Sequence, residues 1–389
     1  MASMLVLCWG TYDEGKPRWR ILRDGLRAAG ATVLELHASV WEGIDDKTQV
    51  HGRGRRLRLL ARWLASYPAL LWRFLLSPRP DLVLVGYPGI LDVVLLAPLA
   101  RLRGVPVAWD MFLSLYDTVV LDRRLIRPAG LRARLLRRFE GFAVRRARVV
   151  FLDTEAHARR VESLFGLPTR SCPAVWVGAE VERFRLPESS PPAGRAPGTP
   201  LQVLFYGQFI PLHGIDTIVA AARLMAGEAV EWTLVGRGQE AAAVRQQLRA
   251  APLPRLRWIE WVDYGELQRF IAAADVCLGI FGTSDKAASV IPNKVFQVLA
   301  VGRPLVTRDS PAIRELLEPD PPCTYLVRAG DPEGLADALR DHVRRARAAR
   351  VGRCHSALLD GIGPPAIGRQ FMEAVGARFD RRGGVAGAR

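Results

Sequence analysis

Short apolar runs closed by Gly, Pro or Asp alternate along this chain with stretches whose apolar positions recur every three to four residues. The first kind has no polar face, as expected of a strand covered on both sides. The second kind carries one apolar stripe, as expected of a helix lying on a sheet. Strands are predicted at 5–9, 31–36, 82–85, 105–109 and 149–152, with a loop at 10–17, a helix at 18–29 and further helices in the intervals. The pattern restarts with strands at 202–206, 231–235, 256–259, 276–280 and 304–307, separated by helices at 216–225, 239–250, 264–273 and 292–301. Alternation of this kind predicts an α/β protein of two Rossmann-like, doubly wound domains facing each other across an interdomain cleft. Residues 1–186 form the first, 187–200 are a linker too rich in Pro, Gly and Ser for regular structure, and 201–364 form the second. A helix at 365–380 is expected to join the first domain, and 381–389 to be a disordered tail.

Composition narrows this picture. A chain of 389 residues, 49% hydrophobic and 24% charged, exceeds what one core organises. The formal charge of +16 is carried almost wholly by arginine, the only lysines being Lys16, Lys47, Lys286 and Lys294. Two explanations stand side by side: codon bias and an anionic partner. The basic stretch 53–76 mixes arginine with Leu and Trp at helical spacing, and 131–148 is a second basic helix, so an anionic membrane surface is the partner considered. Nucleic acid is set aside, since the arginine runs lack aromatic interleaving and match no known module. Cys8, Cys172, Cys277, Cys323 and Cys354 are odd in number and form no C-x-x-C pair, which argues against a disulfide framework or a zinc site. The N-terminus has no basic region ahead of an apolar core, and the apolar stretch 82–100 is broken by Gly, Pro and Asp. The expected location is the cytoplasm, with peripheral contact at the inner face of the plasma membrane as an extension.

The chemistry-bearing pieces cluster in the second half. Gly207 and Gly214 bracket a strand-to-helix loop, where bare backbone and a helix N-terminus suit a diphosphate. A second loop, 283–291, carries Lys286 and opens onto a helix near Pro292. Lys294 sits in that helix's first turn, where a cation opposes the dipole unless an anion lies nearby; the alternative is a solvated surface lysine. In the first half Asp110 ends a strand, the position from which doubly wound folds present functional groups. Asp117 and Asp153 are placed similarly and are equally explained as helix caps. Asp275 is read as structural and His157 as a surface residue.

Four segments carry a family resemblance: Phe205-Tyr-Gly-Gln-Phe-Ile-Pro-Leu-His-Gly214, Trp232-Thr-Leu-Val-Gly-Arg-Gly238, Ala274-Asp-Val-Cys-Leu-Gly-Ile-Phe-Gly282 and Ile291-Pro-Asn-Lys-Val-Phe-Gln-Val-Leu-Ala-Val-Gly302. The chain resembles glycosyltransferase family 4 and its relatives of GT-B fold. The resemblance implies a retaining, metal-independent, hexosyltransferase-like enzyme moving a sugar from a nucleotide diphospho-sugar to a carbohydrate or lipid-linked acceptor, as in bacterial surface polysaccharide or glycolipid assembly. It implies donor contacts from Gly207, Gln208, His213, Gly214, Gly236, Lys286, Ser289, Asn293, Lys294 and Gln297. Gly10, Thr11, Asp13 and Asp117 would meet the acceptor, and Asp110, His213 and Lys294 would take part in catalysis. The chain departs from the family pattern at four places: Gln208 and His213 stand where arginine and lysine are usual, and Ser289 and Gln297 where a pair of glutamates is usual. No Asp-X-Asp motif is present, the nearest being Asp153-Thr-Glu155, so neither a metal nor another cofactor is implied. Two other functions are left open: a nucleotide-sugar epimerase on the same fold, and a non-catalytic nucleotide-sugar-binding protein.

Overall fold

The computed structural model describes residues 3–41, 52–186, 199–348 and 352–383. The chain divides into two compact units, Met1–Gly178 with Pro364–Arg389, and Ala179–Gly363. Most of the expected linker, 187–198, and the last part of the expected tail, 384–389, lie outside the described residues.

Unit 1 runs β1 (Leu5–Gly10), α1 (Pro17–Ala28), β2 (Thr32–His37), α2 (Arg53–Leu76), β3 (Leu82–Val85), α3 (Ile90–Leu102), β4 (Val107–Asp110), α4 (Leu131–Arg146), β5 (Val149–Phe151) and α5 (Glu155–Phe165). Its strands form one parallel sheet in the order β2-β1-β3-β4-β5. Side chains alternate between the faces. Leu7, Trp9, Val83, Val85, Val107 and Trp109 pack under α2, α3, α4 and α5. Val6, Cys8, Leu82, Leu84, Ala108 and Phe151 pack on the other side under α1 and the final helix. Covering both faces is what makes these strands read as continuous apolar runs.

Unit 2 runs β6 (Leu201–Tyr206), α6 (Ile215–Leu224), β7 (Val230–Val235), α7 (Ala241–Ala250), β8 (Leu256–Ile259), α8 (Tyr264–Ala273), β9 (Val276–Leu278), α9 (Asp285–Ser289), α10 (Asn293–Val301), β10 (Leu305–Arg308), β11 (Thr324–Val327), α11 (Pro332–Ala348) and α12 (Leu359–Ile362). Its parallel sheet has the order β11-β10-β9-β6-β7-β8. The final helix, α13 (Pro364–Gly383), returns to unit 1 and crosses α1 where neither chain has a side chain. A Cβ on Gly368 would stand 1.9 Å from the Gly25 carbonyl oxygen. The helix continues through Gly383, past the expected start of the tail.

Further features depart from expectation, besides the start of unit 2 at Ala179 where the first domain was expected to run to 186. β11 and α11 were not foreseen, and the loop expected at 283–291 contains the short helix α9. Cys323 and Cys354 form a disulfide, contrary to the inference from cysteine spacing. The two are 31 residues apart in sequence, and folding brings the start of β11 to the segment after α11, where the Cys354 amide also donates to the Gly302 carbonyl at 3.0 Å.

Candidate active site

In each sheet the strand order reverses beside the unit's first strand, between β1 and β3 in unit 1 and between β6 and β9 in unit 2. Loops leaving adjacent strands diverge at such a point, and open α/β sheets receive ligands in the crevice so formed.

At the unit 2 reversal, Gly207 leaves β6 with φ +141°, and a Cβ there would stand 2.9 Å from Lys294 Nζ and 3.0 Å from His213 Cε1. An amine and an imidazole therefore meet over one bare backbone position. His213 Nδ1 bonds to the Gln208 carbonyl; a carbonyl only accepts, so Nδ1 carries the proton. Lys294 is buried, correcting the surface alternative: Nζ lies 3.8 Å from the Phe205 ring centre and 3.4 Å from the Gly279 carbonyl. Burial pushes its pKa well below the ordinary 10.5, and among the described residues no carboxylate acts to restore it. α6 and α10 begin beside these groups, directly after Gly214 and Pro292, so the partial positive charge of both N-termini adds to the cations.

Other expected donor residues have protein tasks. A Cβ on Gly236 would stand 1.9 Å from the Gly207 carbonyl oxygen, so glycine is required there by one loop lying on another. Gly214 packs in the same way against the backbone of Gly282. The Ser289 hydroxyl donates to the Asp285 carbonyl at 2.6 Å and is used inside α9, where buried Lys286 also lies. Gln297 is committed at both ends: Oε1 accepts from the Tyr206 hydroxyl at 3.1 Å and Nε2 donates to the Tyr264 hydroxyl at 3.2 Å. Asn293 Oδ1, by contrast, is buried with no protein partner among the described residues. Sequence reasoning missed Arg308, which ends β10 and donates to the carbonyls of Gly282 and Ser284, bringing a further cation to the β9 loop. Its only sequence signal is a polar residue closing the apolar run 304–307.

Unit 1 is organised differently. Arg18 Nε donates to both oxygens of Asp110 at 2.9 and 2.8 Å, and its Nη1 to the Val175 carbonyl at 2.9 Å. Both members are buried, and burial still holds the Asp110 carboxyl above its usual range, with Arg18 acting against it. Asp117 is fully buried and paired with Arg160 at 3.0 and 2.7 Å. Thr11 donates to Asp92 through its amide at 2.5 Å and its hydroxyl at 3.1 Å, and that hydroxyl accepts from Trp63. Gly10 fits against the same carboxylate, and the Asp13 amide donates to the Tyr87 carbonyl at 3.1 Å. These expected acceptor residues thus fix the loops of unit 1, and Asp110 is held by Arg18 where a substrate contact was expected. His157, expected on the surface, is buried with Nδ1 2.5 Å from Asp153. Asp275 accepts from the Gln202 amide at 2.8 Å, as a structural residue should.

Residues 15–172 match the family model described as "Glycosyl transferase 4-like domain" and residues 200–345 the one described as "Glycosyl transferases group 1". The chain belongs to the family-4-like glycosyltransferases of GT-B fold. This glycosyltransferase is 25% identical over 289 residues to the probable glycosyltransferase WbjE of Pseudomonas aeruginosa, covering 71% of this chain and 70% of that one. Its fold is similar to sucrose-phosphate synthase from Thermosynechococcus elongatus, with TM-score 0.70 and 16% identity over 98% of this chain and 100% of the other. It is also similar to Anabaena Alr3699/HepE in complex with UDP-glucose, with TM-score 0.64 and 13% identity over 97% of this chain and 100% of the other. Each half of the glycosyltransferase is thus matched by a family model.

Proposed function

We propose that this glycosyltransferase takes a sugar from a nucleotide diphospho-sugar held at the carboxyl edge of unit 2 and moves it to a carbohydrate or lipid-linked acceptor engaged by unit 1. The supporting observation is the meeting of Lys294 Nζ and His213 over Gly207, beside the N-termini of α6 and α10. A diphosphate placed there supplies the negative charge that a buried amine lacks. As the bond from the anomeric carbon to phosphate oxygen breaks, charge grows on the departing diphosphate. Lys294, Lys286, His213, Arg308 and backbone amides lower the barrier by stabilising that charge. The acceptor hydroxyl oxygen bonds to the anomeric carbon and its proton passes to the phosphate oxygen that departs, so that glycoside and nucleoside diphosphate are the two products. Retention of configuration and independence from a divalent metal are part of the proposal, as is action on a lipid-carried glycan at the inner face of a membrane. Cations and helix dipoles take the place of a metal bridge in this reading. Asp110 and Asp117 enter it as residues that hold the acceptor loops in place.

Product analysis by NMR tests this reading. Incubation with UDP-, GDP- and ADP-sugars is expected to yield free nucleoside diphosphate and a product whose anomeric configuration matches the donor. Interconversion of donor sugars without acceptor would mark an epimerase, and binding without turnover a sensor.

A further inference from the structure

The helical layer on one face of the unit 1 sheet has an unusual outer surface. Tyr67, Leu70 and Phe74 of α2 enter the same apolar cluster as Val93 and Leu96 of α3 and Ala143 and Val144 of α4, so the three helices lie side by side on that face. Away from the cluster, α2 presents Leu57, Leu60, Leu64, Trp72 and Leu75, all between 45% and 65% exposed. Their spacing of three, four, eight and three residues keeps them on one stripe. α4 repeats the arrangement: Leu131, Leu135, Phe139 and Phe142 follow at intervals of four, four and three and are 43% to 70% exposed. Leu102, at the end of α3 between them, is the most exposed large apolar residue of the described chain. Isolated exposed leucines are ordinary; two such stripes on one helical layer, with Leu102 of α3 between them, form an apolar surface that calls for a partner.

Charge identifies that partner. α2 contains no acidic residue, and the only one in α4, Glu140, is buried, accepting from the amides of Leu115 and Tyr116 and the hydroxyl of Ser114. Exposed Arg58, Arg62 and Arg73 flank the α2 stripe, and exposed Arg132, Arg134 and Arg138 the α4 stripe. A second copy of the chain would set arginine against arginine, and a nucleic acid backbone would leave the leucines in water. No helix among the described residues is long and apolar enough to cross a bilayer. We propose that the outer faces of α2 and α4 together form a platform that lies in the interface of an anionic phospholipid membrane, with the Leu, Trp and Phe stripes entering the acyl boundary and the arginines meeting lipid phosphates. α2, α3 and α4 each follow a strand, so their N-termini lie at the carboxyl edge of the sheet, on the same side as the loops after β1 and β4. A lipid-carried acceptor would therefore meet those loops without leaving the membrane. This step rests on the reading of unit 1 as the acceptor side; the docking surface itself does not.

Co-sedimentation with vesicles of phosphatidylcholine, alone or with one third phosphatidylglycerol, tests the platform. Partitioning onto the anionic vesicles is expected to exceed that onto neutral ones by about tenfold or more, and to fall as salt rises. Leu60→Glu with Leu64→Glu, and separately Leu135→Glu with Phe139→Glu, should each lower it by about tenfold, with melting temperature and nucleotide binding unchanged because these side chains already face water. Vesicles should shift tryptophan emission to the blue, and Trp72→Phe should reduce that shift. Equal partitioning on both vesicle types, or glutamate variants that bind like the parent, would overturn the proposal. So would concentration-dependent dimerisation abolished by the same variants without vesicle binding. A protein that binds anionic vesicles but no nucleotide sugar would keep the platform and overturn the donor reading instead.

Discussion

Each unit has a parallel sheet whose strand order reverses beside its first strand, yet the charges at the two carboxyl edges are handled in opposite ways. In unit 1 the carboxylates are matched internally: Asp110 to Arg18, Asp117 to Arg160, Asp153 to His157 and Asp92 to Thr11. In unit 2 Lys294 is buried against aromatic rings and a carbonyl, and among the described residues no carboxylate offsets its lost hydration. The proposed function accounts for the difference: an edge whose charges are already satisfied serves as a scaffold, and a cation buried at a cost in stability suits the anionic donor proposed for unit 2. Substitutions on the two edges should therefore move stability and binding in different directions.

The largest effect belongs to unit 1. Arg18→Met leaves the Asp110 carboxylate buried without its counter-ion, and denaturant unfolding should show a loss of about 3–5 kcal/mol. Nucleoside diphosphate affinity of the protein that remains folded should be unchanged. A large loss of affinity without loss of stability would reverse the assignment of scaffold and site.

Lys294→Met should do the opposite. Diphosphate affinity is expected to fall about 10- to 100-fold, the value of a lost charge-assisted contact, while the nucleotide-free protein becomes more stable. The sign follows from the depressed pKa of Lys294: between the folded value and 10.5 the unfolded chain holds the extra proton, so parent stability falls as pH is lowered from 10.5 through that window. The variant lacks this contribution, so its advantage should be greatest at low pH and vanish above 10.5. Calorimetric melting across pH measures the difference directly.

Gln297→Glu is expected to have the smallest effect, and its direction follows from the geometry. The amide is used by Tyr206 and Tyr264, so a carboxylate there loses the bond to Tyr264 and is buried. A loss of about 1–2 kcal/mol in stability is expected, with no gain in donor affinity. Tighter binding by titration would show that this position faces the ribose, as the family pattern suggests.

What the sequence discloses divides along similar lines. β1, β3, β6 and the start of α6 after Gly214 were legible because doubly covered strands and glycine-closed turns are local patterns. The placement of Lys294 was legible as a cation in a first helical turn, though its burial was not, since α10 is covered by elements distant in sequence. The pairs Arg18–Asp110 and Asp117–Arg160 join residues 92 and 43 positions apart. No local spacing announces them, and so Asp110 read as a free strand-end acid. The Cys323–Cys354 link and the commitment of Gln297 to two tyrosines were hidden for the same reason.

Hydrogen–deuterium exchange with a saturating nucleoside diphosphate, chelator present, tests the contrast most directly. Slowed exchange is expected in 207–217 and 279–297 of unit 2, including the first amides of α6 and α10. Residues 10–16 and 110–118 of unit 1 should exchange as they do without ligand. Protection confined to the unit 1 loops, or no protection by uridine, guanosine or adenosine diphosphate, would contradict it.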